Sequence, residues 1–302
     1  MTRFAVRTLT LNPSIDVSSQ AERVEPEKKV RTCCERINPG GGGINVARVL
    51  QRFGIGVEAI FLAGGATGQA FDALLGRAGL TRRWVPIDDD TRTSLTIHEQ
   101  STGDEYRFVP EGPTVTPEEL KACLAAVDEA ASDYFVASGS LPPSVPDSFY
   151  ATVGAQARRS GSRLILDTSG AELKASIEVG GIYLLKASKE ELDRDAAAKI
   201  VERGQAEHVA LTLGANGALV IGREDSWALP SFKVETVSTV GAGDSFLAGM
   251  TYGLAKGMKV EEAFRVAVAA GAAATLEPGT DVAYREKAMR LLERVPQPER
   301  LR

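Results

Sequence analysis

Residues 238–246 read Ser-Thr-Val-Gly-Ala-Gly-Asp-Ser-Phe and run straight into a stretch of helical character, Leu247–Lys256. Gly241 and Gly243 remove side chains where backbone must approach a ligand closely. The loop opens a helix, so unpaired amides and the macrodipole favour an anion there. A carboxylate in that place, Asp244, weakens anion binding by repulsion unless it takes a proton from an attacking hydroxyl. Donors for developing negative charge, beside a base for the nucleophile, are what phosphoryl transfer requires. The plainer role for Asp244 is a helix N-cap after a glycine turn, and G-A-G-D alone leaves the two readings level.

A second glycine loop, Pro39-Gly40-Gly41-Gly42-Gly43-Ile44-Asn45, also opens a helix. Consecutive glycines are expensive in backbone entropy, and a close approach to a polar ligand explains them better than a linker does. Asn45 on the first turn is placed to hydrogen-bond sugar hydroxyls. Asp16 follows the first strand, and Ser138-Gly139-Ser140-Leu141-Pro142-Pro143 follows a later one. Both stand at carboxyl ends of strands, where parallel-sheet proteins place ligand contacts. The P-loop G-x-x-x-x-G-K-[ST] and the dinucleotide G-x-G-x-x-G after a strand are both absent.

The elements that must carry these loops alternate. Phe4–Leu11, Val57–Leu62, Tyr134–Ser138, Arg163–Asp167, Ile182–Leu185 and His208–Leu213 are apolar strand-like runs. Helical stretches stand between them, among them Ile44–Phe53 stopped by Gly54, Gln69–Ala78 stopped by Gly79, Phe149–Arg159 and the Ala-rich Val260–Leu276. Alternation of this kind gives right-handed βαβ units and a parallel sheet covered on both faces. Asn216-Gly217 signals a tight turn in an antiparallel hairpin. Residues 14–38 and 91–110 break the rhythm with polar, alternating strands, as a small sheet would that lids a cleft or forms a dimer contact. No repeat or linker divides the chain, so a single domain over 1–302 is expected.

The net charge of −5 leaves no excess of cations to neutralise a nucleic acid. No run approaches the ~18 apolar residues of a membrane span, and no apolar leader segment stands at the start. Cys33, Cys34 and Cys123 are odd in number and lack C-x-x-C spacing, which favours a reducing cytoplasm over a disulfide framework. His98 and His208 are too few and too far apart to build a histidine metal cluster.

Taken in order, N-P-S-I-D, P-G-G-G-G-I-N-V-A-R, A-G-G-A-T-G, S-G-S-L-P-P and S-T-V-G-A-G-D-S-F resemble the PfkB (ribokinase-like) carbohydrate kinases from about Thr8 to Gly279. Within that family, F-L-A-G-G-A-T-G, G-D-E-Y-R-F and A-A-T-L-x-x-G-T are of the minor, 6-phosphofructokinase kind. The resemblance implies a three-layer α/β/α domain with a mainly parallel sheet, a β-sheet lid forming a homodimer interface, and Mg-ATP as donor. It implies fructose 6-phosphate as acceptor at its C1 hydroxyl. The nearer alternatives are a 1-phosphofructokinase or tagatose-6-phosphate kinase, and from another class a non-catalytic sensor of sugar phosphate or nucleotide. Carried over by position, Asp244 is the base, and Gly241, Ala242 and Gly243 form the anion hole. Asp16, Gly41, Gly42 and Asn45 bind the sugar, while Lys29, Arg92 and Arg107 hold its phosphate with Ser140 nearby. Lys186, Thr212, Gly214 and Gly217 match nucleotide positions; Val240 and Ala274–Gly279 match the surroundings of adenine and of a monovalent cation, K⁺.

The chain departs from the family at three places. Lys186-Ala187-Ser188-Lys189-Glu190-Glu191 keeps the Lys and the magnesium-organising Glu191 of K-P-N-x-x-E but has Ser188 for its Asn. Glu277 stands where Asn is common, and Asp281 where a basic residue is found. Related 1-phosphofructokinases carry Lys where this chain has Gly42, which disfavours a substrate phosphate near that loop.

Overall fold

The strands at the centre of the molecule are apolar on both faces because helices cover both. The computed structural model describes residues 4–231 and 234–301, so residues 1–3, 232–233 and 302 of the expected domain lie outside the described residues. The chain opens with β1 (Phe4–Thr10), leaves for β2 (Ser14–Ala21) and β3 (Cys33–Gly40), and returns through α1 (Gly42–Arg52) to β4 (Val57–Gly64). Helix α2 (Gly65–Arg77) leads to β5 (Arg82–Ile87), and a second excursion supplies β6 (Arg92–Glu99) and β7 (Glu105–Phe108). Regular alternation follows through α3 (Pro117–Asp128), β8 (Ser132–Ser138), α4 (Phe149–Arg159) and β9 (Arg163–Asp167). It continues through α5 (Gly170–Val179), β10 (Ile182–Ser188), α6 (Arg194–Glu202) and β11 (Ala206–Thr212). The rest comprises β12 (Ala218–Gly222), β13 (Ser226–Leu229), α7 (Ala242–Ala255), α8 (Val260–Ala274), α9 (Arg285–Leu292) and β14 (Glu299–Arg300).

The large sheet has the order β14-β13-β12-β11-β10-β9-β8-β1-β4-β5. It is parallel from β11 to β5, and antiparallel from β11 outward to β14. Period-two alternation divides its side chains between two cores. Ala59, Phe61 and Ala63 of β4 belong to the cluster that includes α1, α2, α7 and α8, whereas Ile60 and Leu62 belong to that of α3, α4 and α6. The sheet is covered on both faces, as the alternation predicts, in the three-layer α/β/α architecture that the resemblance implies.

The two excursions pair as a second sheet, β3-β2-β6-β7, with β2 and β6 parallel and both outer pairs antiparallel. The outer sides of its edge strands β3 and β7 have no strand partner among the described residues, and Ile37, Phe108 and the adjoining Val109 are exposed there. Asp16 sits within β2, as part of this sheet, not in a loop after β1. The Asn216-Gly217 hairpin joins β11 to β12 as expected, but through a 3₁₀ turn at Gly214–Asn216 with Gly217 at φ 96°.

Candidate active site

The carboxyl ends of β8, β9 and β10 and the N-termini of α1 and α7 surround a polar cavity of about 250 Å³, which brings the two glycine loops together. Gly241 caps α7 in the left-handed region (φ 75°), where a side chain is strained, and its carbonyl accepts from the Ser245 amide (2.9 Å). Among the described residues the amides of Gly241, Gly243 and Asp244 have no acceptor, while that of Ala242 makes a long bond to Thr239 O (3.4 Å). Asp244 Oδ2 accepts from Asn45 Nδ2 (2.9 Å). Burial lifts its carboxyl to about 6, the neighbouring Asp167 carboxylate adds to the rise, and the Asn45 bond and Lys186 oppose it. The result is a carboxyl that changes charge not far below neutrality.

On the side of the first glycine loop, Gly41 takes φ 111° and α1 begins at Gly42, two residues earlier than its apolar periodicity indicates. A Cβ on Gly42 would lie 2.3 Å from Ser138 Oγ and 3.0 Å from the Gly139 amide, so this loop has no room for a longer side chain. Asn45 is buried with its amide turned into the cleft. Asp16 accepts from the Ser14 hydroxyl (2.5 Å); burial raises its pKa, against the lowering effects of that bond and of Arg92, Arg48 and Arg107. Ser140 lines the cavity and takes a bond from Asn12 Nδ2 (3.3 Å).

On the other side Lys186 of β10 stands opposite Asp167 of β9 and pairs with it at 3.1 Å. Burial works against the charge on Lys186, but Asp167 and Asp244 hold it protonated. Glu191 lines the cavity and accepts the Ser188 amide on Oε2 (2.6 Å), which leaves Oε1 for a hard cation. That single carboxylate suits Mg²⁺, which keeps waters and substrate phosphates as its other ligands. Thr212 ends β11, Gly214 (φ 59°) and Gly217 (φ 96°) bracket the following turn, and Ala274 is buried at the end of α8. The Val240 amide donates to Ser238 Oγ (3.2 Å).

The cations expected from the lid are placed unequally. Arg92, beside Ser14 in the β2–β6 register, donates to Asn12 O and Pro110 O (both 2.9 Å), and its buried Nε has no partner among the described residues. Arg107 is exposed on β7, within electrostatic reach of Asp16. Lys29 is exposed on the loop between β2 and β3 and does not line the cavity. Asp167 was absent from the expected site. It closes the apolar run R-L-I-L-D at a strand's carboxyl end, the same signal that singled out Asp16. Arg48, buried beneath Asn45, gave no local signal.

Residues 9–287 match the family described as pfkB family carbohydrate kinase. The chain belongs to this family. It is 42% identical over 306 residues to the ATP-dependent 6-phosphofructokinase isozyme 2 of Mycobacterium tuberculosis, covering 96% of this chain and 90% of that one. To the isozyme 2 of Escherichia coli it is 39% identical, over 91% of this chain and 94% of that protein. The crystal structure of phosphofructokinase-2 from Escherichia coli in complex with fructose-6-phosphate superposes with a TM-score of 0.90 at 35% identity, covering 97% of this chain and 99% of that one. As a member of the pfkB family the chain is an ATP-dependent carbohydrate kinase, with the ribokinase-like layers described above.

Proposed function

We propose that this kinase transfers the γ-phosphoryl group of ATP to the C1 hydroxyl of fructose 6-phosphate, giving fructose 1,6-bisphosphate and ADP. The observation that carries this reading is the Asp244 carboxylate, poised near neutrality among outward amides and facing the Gly41–Asn45 loop across one cavity. Asp16 and Asn45, with the backbone of Gly41 and Gly42, hold the sugar so that O1 faces Asp244. As the O1–phosphorus bond forms and the bond to the β,γ-bridging oxygen breaks, Asp244 takes the O1 proton. The amides of Gly241 and Gly243, with that of Ala242, receive the transferring oxygens, and Lys186 balances charge that shifts to the leaving ADP. Mg²⁺, held through Glu191 when bound with the nucleotide, supplies neutralisation of phosphate charge. Thr212, Gly214, Gly217, Val240 and Ala274 line the nucleotide's path, with Ser188 at its inner end.

The substrate's own phosphate belongs to the lid. Gly42 leaves no space for a cation at the glycine loop, whereas Arg92 presents an unpartnered Nε and Arg107 lies near Asp16. Lys29, on its exposed loop, reaches a phosphate only if the lid folds inward or a second subunit presents it. The lid's open edges and exposed Ile37, Phe108 and Val109 fit a homodimer formed through this sheet. For K⁺, neither acidic departure is free: Glu277 pairs with Lys287 (2.7 Å) and Asp281 with Arg48 and Arg52. Among the described residues no helix is long and apolar enough to cross a membrane, and a cytoplasmic metabolic role fits the substrate.

ADP release measured over fructose 6-phosphate, fructose 1-phosphate and tagatose 6-phosphate tests the assignment. The highest kcat/KM is expected for fructose 6-phosphate, and a preference for fructose 1-phosphate replaces it. Arg92→Ala is expected to raise KM for the sugar phosphate by about 10- to 100-fold with little change in kcat, because a phosphate contact is made alike in ground and transition states. An unchanged KM places that phosphate elsewhere.

The pH dependence follows from Asp244. Only its ionised form accepts a proton, so kcat/KM is expected to fall as pH drops through about 6, approaching tenfold per unit below it. A kcat/KM profile flat down to pH 5 contradicts the role.

A further inference from the structure

A partly buried chain of charge links the two glycine loops. Arg48 of α1 donates through Nη1 to Asn45 Oδ1 (3.1 Å) and Pro39 O (3.2 Å), and through Nη2 to Asp281 Oδ1 (3.0 Å). Asp281 also accepts from Arg52 Nη2 (2.9 Å), the Val282 amide (2.8 Å) and the Tyr284 hydroxyl (2.9 Å). Its backbone closes on the anion loop: a Cβ on Gly241 would lie 3.3 Å from Asp281 O. Two residues on, the Ala283 amide donates to Ser245 Oγ (3.2 Å), next to Asp244 in sequence. One short segment therefore grips α1 with its side chain and the start of α7 with its backbone.

The chemistry of this chain is directional. A guanidinium has five donors and no acceptor. Facing Arg48, Asn45 has to present its oxygen, and its NH₂ is thereby turned to Asp244. If Arg48 were released, the Asn45 amide could reverse and set an oxygen against the Asp244 carboxylate. That arrangement repels the ionised base and moves it from the sugar hydroxyl.

We infer that Asp281 is a positioning residue for phosphoryl transfer, holding Arg48 so that Asn45 offers Asp244 a donor and nothing else. The inference rests on the reading of Asp244 as the base. The charged groups involved are few. Asp167, Lys186 and Asp16 face Asp244 besides Asn45, and Arg52, Asp281, Tyr284 and Asp16 face Arg48. Asp281→Asn changes one of the second set and none of the first.

The test compares Asp281→Asn with Arg52→Gln in purified enzyme. Arg52 shares the Asp281 oxygen but does not bond Asn45. Asp281→Asn is expected to lower kcat by about 10- to 100-fold, the scale of a misplaced reacting group. It should also move the acid limb of kcat/KM to higher pH, since the carboxylate loses a bond that favours its charged form. The KM for ATP should stay as in wild type. Arg52→Gln is expected to melt at lower temperature yet keep the wild-type limb. A wild-type kcat and limb in Asp281→Asn overturns the inference, as does an equal shift in Arg52→Gln. Should Asp281→Asn not fold, Arg48→Lys carries the same expectation and the same refutation, because one ammonium does not span Asn45 and Asp281 together. Asp244→Asn, run alongside, separates the two failures. Full turnover there removes the base itself, whereas lost turnover there with an unmoved limb in Asp281→Asn removes this inference alone.

Discussion

Asp244→Asn is expected to lower turnover on fructose 6-phosphate by roughly 10²–10⁴-fold, the usual scale for a lost general base, with ATP still bound. The substitution is close to isosteric. A side-chain oxygen can still accept from Asn45 Nδ2, so the helix start and the sugar loop keep their connection. What disappears is the capacity to receive a proton. Burial and the nearby Asp167 both disfavour charge at this position, so removing it should leave the melting temperature unchanged or higher. Loss of turnover with retained or increased stability is therefore the expected signature. Single-turnover phosphate transfer and thermal melting on the same preparation read the two quantities. Turnover near wild type would remove Asp244 from the mechanism, and a fall in stability matching the fall in rate would make its role structural.

Much of this site is written in the chain because its makers are local. Gly41, Gly42, Asn45, Gly241, Gly243 and Asp244 lie on two short loops whose runs of glycine signal positive φ and close approach, and the structure sets both loops on one cavity. Helix α4 and strand β9 also fall at the ends read from sequence, since apolar periodicity and flanking breakers coincide there. Helix α3 was not singled out although its signal is present. Thr116 accepts from the Glu119 amide, and the Glu119 side chain accepts in return from Thr116 N, with Pro117 at the first turn. The residues that escape are those defined by pairing across the fold. Lys186 meets Asp167 through strand register, and Arg48 meets Asp281 across 233 positions. No local pattern encodes either contact. The departures at Ser188 and Asp281 looked like losses in sequence. In the structure Ser188 still presents its amide to Glu191, and Asp281 has become the anchor for two arginines.

Lys186→Met is expected to destabilise the fold by about 3–5 kcal/mol at neutral pH, the range for removing one partner of a buried ion pair. Lys186 and Asp167 are only 12% and 11% exposed, and the aliphatic stem survives in Met, so the loss is electrostatic and not a cavity. Asp167 is left as an unpaired carboxylate beside Glu191 and Asp244. Its pKa then rises further above the unfolded value than burial already sets it. A carboxyl raised in this way stabilises the native state while protonated and ceases to as pH climbs through the folded pKa, so the deficit should narrow toward pH 5. Asp167→Asn placed on top of Lys186→Met removes the stranded charge and should recover more than half of the lost stability. Turnover should not recover with it, because the cation proposed to balance charge at the leaving group is still missing. Denaturant unfolding of the two single variants and the double variant closes the cycle. Additive losses would mean that the two side chains are neighbours without being partners. Recovery of both stability and rate in the double variant would mean that Lys186 serves the fold alone, and the charge on the departing nucleotide would then need another counterpart.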